Sequence, residues 1–265
     1  MTALPRRSWP LVRSLVVSGV LIGGTASAQV NTENLRKTIK AGGVSGTLNL
    51  ALDGHTGNTD GIAADVSGGV GFEKDRTLMF IYGSADYTRF NDAVSTNKDF
   101  AHLRYNYNFY HWLAGEVFAQ AASDQFQNLK FRTLLGIGPR FTVVNTPDKA
   151  FQVYLGADYM NERDVYVIDV TTQEGRHHEE YARLSSYMAI AYQLDKRIAI
   201  ASTSYFQPRL EKWSDVRFLS EDGFIFTVTK HVSAAITYNM HYDSNAVAGV
   251  KSTDTELKNT LTFAF

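Results

Sequence analysis

The chain has 265 residues, with 26 Lys and Arg against 27 Asp and Glu, a formal net charge of −1. That balance speaks against a nucleic-acid binder, which needs a basic face, and the absence of cysteine excludes a disulfide-held scaffold. Mean hydropathy is −0.20, and no stretch after the N-terminus is apolar enough for a spanning helix; strands of a membrane barrel escape hydropathy because apolar and polar residues alternate along them.

Residues 1–28 read as a signal peptide. Arg6, Arg7 and Arg13 form a positive start, Leu15 to Ile22 is a short apolar run, and Ala26-Ser27-Ala28 is a cleavage signal. The run falls short of the roughly 20 apolar residues of a spanning helix. Pro5 and Pro10 suit a twin-arginine route poorly, and a barrel must cross the inner membrane unfolded, so Sec export is expected. Its removal leaves 23 basic against 27 acidic residues, a net −4. Residues 29–42 are polar with a weak helical pattern and read as a periplasmic lead-in. Residues 43–265 read as one outer-membrane β-barrel: all-β, antiparallel, up-and-down, of about 12 strands. Few prolines suit such a chain, since Pro interrupts hydrogen-bond ladders.

The strands are predicted in chain order. Val44–Asp53 goes up to a loop at residues 54–60, and Ile62–Phe72 returns, with Ile62, Val66, Val70 and Phe72 on one face. Lys74-Asp75-Arg76 turns; Leu78–Phe90 rises to a loop at 91–97. In Phe100–Phe109 the alternation is clearest: Leu103, Tyr105, Tyr107 and Phe109 share one face, while His102, Arg104, Asn106 and Asn108 share the other. After Tyr110-His111 come Trp112–Ala122 and Phe126–Val144, a turn at Pro147-Asp148, and Phe151–Glu162. The longest loop is expected at 163–178. Tyr181–Leu194, Ile198–Leu210, Val216–Thr229, Val232–Asp243 and Thr255–Phe265 complete the set, with turns at Asp195-Lys196 and Lys230-His231 and a loop at 244–251. An even count puts both termini on one side, with the shorter connections there, as bacterial outer-membrane barrels require.

Charged residues gather on one face. Arg104, Glu116, Arg132, Asp158, Arg183, Arg209, Asp215, Arg217, Glu221 and Asp243 are the candidate lumen residues, as a pore lining or an ion-pair cluster. Asp65, Asp124, Lys130, Arg140, Glu162, Glu256 and Lys258 are expected on that face too. An Arg or Lys facing mid-membrane lipid costs roughly 2–4 kcal/mol, so these groups face inward. The other face carries Tyr105, Tyr107, Phe109, Phe141, Phe151, Tyr159, Tyr192, Phe224, Phe226 and Phe263, many near strand ends, as an interfacial aromatic girdle does. In the last strand Leu261, Phe263 and Phe265 share a face with Leu257 and look like the C-terminal signal read by the barrel-assembly machinery; Asn259 interrupts them.

Catalytic and metal signals are weak. His241, Asp243 and Ser244 lie close together, but an activated serine needs a base and an orienting group at fixed positions, and no third partner is in place. His177-His178-Glu179-Glu180 reads as a solvated loop end rather than a metal site. No cofactor, metal or nucleic acid is expected, and the chain reads as no enzyme. The glycines Gly57, Gly68, Gly69, Gly71, Gly136 and Gly138 read as positions for strand bending or lumen packing.

Tyr205-Phe206-Gln207-Pro208, Asp215-Val216-Arg217 with Glu221, and His241-Tyr242-Asp243-Ser244 follow one another in the C-terminal third. Gly57-Asn58-Thr59-Asp60, Leu103-Arg104-Tyr105 and Arg183-Leu184-Ser185-Ser186-Tyr187 precede them. In order and spacing they make the chain resemble the salt-induced outer-membrane protein family, domain-of-unknown-function family 481. Asn245 stands where that pattern has Pro. The resemblance implies the outer membrane of a Gram-negative bacterium and a link to salt stress, and it carries no catalytic residue or substrate. The expected partners are outer-membrane lipid and lipopolysaccharide, the barrel-assembly machinery, and a small solute or ion. Two readings stay open: a narrow or partly plugged polar pore, and a non-conducting structural or partner-binding barrel. A lipid-modifying enzyme is a distant third.

Overall fold

The computed structural model describes residues 36, 39, 42–55, 61–90, 93–125, 128–148, 150–169, 174–246 and 251–265. The expected signal peptide lies outside them. Twelve strands follow one another: β1 (Gly43–His55), β2 (Gly61–Lys74), β3 (Thr77–Phe90), β4 (Ala93–Tyr110), β5 (Leu113–Asp124), β6 (Leu129–Asn145), β7 (Phe151–Asp169), β8 (Glu174–Gln193), β9 (Ile198–Arg209), β10 (Lys212–Thr227), β11 (Val232–Asp243) and β12 (Thr253–Ala264). Each pairs antiparallel with its sequence neighbours, and β12 pairs with β1, so the sheet closes on itself. The seam is short: Thr47–Leu50 face Ala264–Leu261, extended by reciprocal backbone bonds of 3.1 Å between Gly46 and Phe265. Closure is what a spanning sheet needs, since hydrocarbon offers no partner to an edge N–H or C=O.

The alternation read from the sequence decides which face is which. Ile81, Leu103, Ile137 and Leu135 stand 46–63% exposed on the outer surface, while Phe80, His102, Arg104 and Leu134 between them are buried within the barrel. An apolar surface over most of a barrel's circumference needs a hydrocarbon phase to cover it; the chain is a membrane-spanning β-barrel. Aromatic residues cluster on this surface toward the end that carries both termini. Tyr110 stacks on Trp112 and Trp112 on Phe141 at centroid distances of 5.9 and 6.3 Å, and Phe151 meets Tyr192 edge-on at 5.9 Å. All ten aromatic residues assigned to the outer face are exposed there.

Two boundaries and one face assignment depart from the sequence reading. Residues 93–97, expected in a loop, belong to β4. The loop expected at 163–178 is largely paired strand: β7 and β8 form a ladder from Arg163↔Glu180 to Asp169↔Glu174. Beyond the lipid both faces of a hairpin are wetted, so its outward positions need not be apolar and the period of two fades. Lys130, assigned to the lumen by parity, is exposed because a bulge between Leu129 and Phe131 shifts the register.

Lumen packing uses two glycines directly. A Cβ on Gly136 would collide with the Phe118 ring, and one on Gly156 with the Tyr187 ring. Gly136→Val is therefore expected to destabilise the barrel by about 1–3 kcal/mol, the usual cost of overpacking. The check is the urea midpoint of the lipid-reconstituted protein, and an unchanged midpoint would mean that Phe118 has room to move.

A charged lumen as the candidate functional site

Two ion-pair networks occupy the lumen. The first is centred on Glu162 of β7, which is fully buried. Three guanidinium groups converge on it: Arg217 Nη1 at 2.6 Å, Arg132 Nε at 3.0 Å and Arg183 Nε at 3.5 Å. Arg132 also donates to both Asp164 carboxylate oxygens, at 2.7 and 2.6 Å. Arg183 Nη2 donates to Asp215 Oδ1 at 2.8 Å, and its Nη1 reaches the carbonyls of Gln207 and Asp215. Arg217 Nε continues to Asp243 Oδ2 at 3.1 Å. The Tyr181 hydroxyl sits 2.8 Å from Glu162 and 3.0 Å from Asp164, under Arg209 and Arg183, whose guanidinium carbons lie 4.4 and 4.9 Å from its ring. The network ties six consecutive strands, β6 to β11, across the barrel interior.

Closer to the terminal end, Glu116 of β5 gathers a second set. Arg104 Nη1 lies 3.4 Å and Arg140 Nη1 3.8 Å from it, while Asn106 and the Tyr187 hydroxyl donate to it at 2.6 and 2.7 Å. Arg36, from the chain before β1, joins with Nη2 at 2.9 Å from Glu116 and 2.5 Å from Asn106. Ile39 packs on Leu78 and Phe80. Most of residues 29–42, the expected lead-in, lie outside the described set; Arg36 and Ile39 of that stretch lie against the lumen wall. Asp158 is buried against Gly138, where a Cβ would strike it.

Apolar and aromatic side chains fill the space between the two networks. Phe80, His102 and Phe118 form a stack with centroids 5.7 and 5.8 Å apart. Tyr187, Tyr205 and Leu219 form one cluster, and Phe118, Leu134 and Met160 another. A water-sized cavity remains, lined by Arg104, Gln120, Ser185 and Gln207 among others.

The filling is lopsided. Inward residues of β4 to β10 are mostly buried, whereas those of β11, β12, β1, β2 and β3 are mostly half-buried and polar: Asn239, Lys258, Asn49, Ser67, Ser84 and Asp86. On that side Lys258 Nζ reaches Asp65 Oδ2 at 3.0 Å and Asp86 Oδ1 at 3.7 Å. Asp65 and Asp86 face each other directly in the β2–β3 register, and Asp86 faces Lys98 on β4. Asn239 donates to Glu256 at 3.2 Å.

The structure thus places Arg132, Arg183, Arg209, Asp215, Arg217 and Asp243 in one network and Arg104 and Glu116 in the other. Asp158 is buried beside the second. Glu221, half-buried between Thr203 and Asn239 in the register, stands where the packed half meets the open one. Asp164, Asp86, Tyr181 and Tyr187 take part although they lie outside the candidate lumen residues. Asp164 lies in the stretch that reads as a loop, Asp86 shares the parity of Phe80 and Tyr82, and a tyrosine ring reads as a lipid-face residue. His241 and Asp243 face inward, and Ser244 Oγ donates instead to the Ser214 carbonyl at 3.0 Å. Leu261, Phe263 and Phe265 face outward at the seam, where the Phe265 ring lies over Gly46.

Solved barrels are similar in outline. The translocator domain of the autotransporter NalP from Neisseria meningitidis is 11% identical, covering 84% of this chain and 88% of its own, with a TM-score of 0.49. A KdgM porin solved with disordered oligogalacturonate is 11% identical, over 83% and 99%, at 0.48, and a NanC porin 9% identical, over 83% and 97%, at 0.47. At those scores the likeness goes no further than a resemblance between barrels. No curated protein matches the chain. One family model spans most of the barrel, from residue 48 to the last residue, 265, and by that match the chain belongs to the family described as "Protein of unknown function, DUF481".

Proposed function

We propose that this chain is a narrow polar pore of the Gram-negative outer membrane, with the passage running along one side of the lumen. The observation that carries this reading is the lopsided interior. The β4–β10 wall is packed and cross-linked, and the β11–β3 wall offers half-buried polar side chains with no comparable filling among the described residues. The termini and the short turns face the periplasm, and the long β7–β8 hairpin faces outward. A barrel of twelve strands stands between the filled eight-strand and the open sixteen-strand cases, so a partial passage suits its size. Along the open wall Asp65, Asp86, Glu221 and Glu256 outnumber Lys98 and Lys258 among the described residues, which favours small cations. Passage of small ions fits the salt-stress link that the sequence resemblance implies.

Arg36 and Ile39 favour a second reading. Their contacts put part of the chain before β1 against the lumen wall at the terminal end, which fits a barrel stoppered from within. Single-channel recording of the refolded mature protein in a planar bilayer separates the two. Discrete, reproducible steps support the pore. Silence from protein with heat-modifiable gel mobility supports the stoppered barrel, and Arg36→Ala is then expected to open it.

A further inference from the structure

The lipid-facing surface is apolar over most of its circumference, but β9 and β10 interrupt it. Ser204 and Ser220 face each other across β9 and β10 with hydroxyls 3.1 Å apart, and Ser220 donates to Asp222 Oδ2 at 3.0 Å. Ser202 lies opposite Asp222 in the register. These side chains share the outer face with Met188, Phe206, Phe224 and Tyr238, each 43–50% exposed. Asp222 lies six residues from Val228, where β10 leaves the barrel. At ~3.4 Å per residue and a tilt of ~40°, that is about 15 Å along the membrane normal, well inside an apolar band of about 25 Å.

A carboxylate at that depth is costly against lipid tails, which offer no hydrogen-bond donor. The relay Ser204→Ser220→Asp222 satisfies only part of it, since a carboxylate accepts at about four positions. We propose that this stripe is the contact surface for a second copy of the chain. The stripe holds both donors and an acceptor, so it complements itself. A two-fold contact lays the stripe of one barrel on that of the other, and the Ser202 hydroxyl of each donates to Asp222 of its partner. Serines are also small enough to let two sheet faces approach closely.

The chain lacks cysteine, so single cysteines report the contact in intact membranes. The full chain carrying Ser202→Cys is expected to give a disulfide-linked dimer on oxidation. Ile81→Cys on β3, six strands round the barrel, should give none. Light scattering of the native protein in mild detergent should give twice the monomer mass, and Asp222→Leu should raise the dissociation constant about tenfold or more. Ser204→Leu, which keeps the carboxylate, serves if Asp222→Leu fails to fold by heat-modifiable mobility. A native monomer by light scattering, linking at Ile81→Cys as strong as at Ser202→Cys, or a dimer indifferent to the variants would overturn the proposal. Mixed disulfides between Ser202→Cys and a different membrane protein, without dimer, would do the same.

Discussion

Glu162→Gln is expected to destabilise the barrel by about 3–5 kcal/mol, the cost of removing one partner from a buried charge cluster. The reason is the company Glu162 keeps: the guanidinium groups of Arg132, Arg183 and Arg217 lie within 3.5 Å of a carboxylate that is wholly buried. Glutamine preserves the shape and one oxygen acceptor but leaves those cations to repel one another. An exposed pair on the same hairpin is the internal contrast. Arg163 and Glu180 lie 3.1 Å apart with side chains 66% and 55% exposed, where solvent screening leaves about 0–1 kcal/mol. Arg163→Ala is thus expected to unfold like the native protein in urea from lipid vesicles. A Glu162→Gln loss below about 1 kcal/mol would mean that water enters the cluster and screens it as it screens a surface pair.

Ion preference should turn on Lys258. Asp65 and Asp86 are carboxyl groups directly opposite one another, and ionising both is unfavourable in a sheet. The Lys258 ammonium, reaching across β1 from β12, offsets it. In a water-like passage one unit charge about 4 Å from a permeant ion is worth about 1 kcal/mol. Lys258→Gln is accordingly expected to raise the cation-to-anion permeability ratio about fivefold, and Asp65→Asn with Asp86→Asn to lower it by more. The reversal potential in a KCl gradient measures both. A native channel that prefers anions, or a ratio that ignores all three substitutions, would show that ions travel by another route.

The class of fold can be read along the chain. Alternation in segments such as Phe100–Phe109, together with connections that are short on one side, is a direct record of a sheet with lipid outside and side chains inside. A strand has no other way to separate Leu103 and Tyr105 from Arg104 and Asn106. Parity also assigned most lumen charges, because an arginine at mid-membrane is costly anywhere else. It misplaced Lys130, since a bulge is a single-residue event that leaves composition unchanged. It also lost Asp164, because above the lipid the pressure that creates the period is gone.

The partners of these charges follow from barrel closure. Glu162, Arg183 and Arg217 are separated by tens of residues, and which guanidinium meets which carboxylate follows from strand stagger and closure. The same is true of the inward aromatics. Phe118 and Tyr187 read as lipid-facing types, yet they fill the lumen because Gly136 and Gly156 on neighbouring strands leave room for their rings. The division of the lumen into a packed wall and an open one is a property of how side-chain volumes add across strands. A residue's face is a local fact, repeated every second position and legible in one dimension; what it touches across the lumen depends on strands brought together only when the barrel closes.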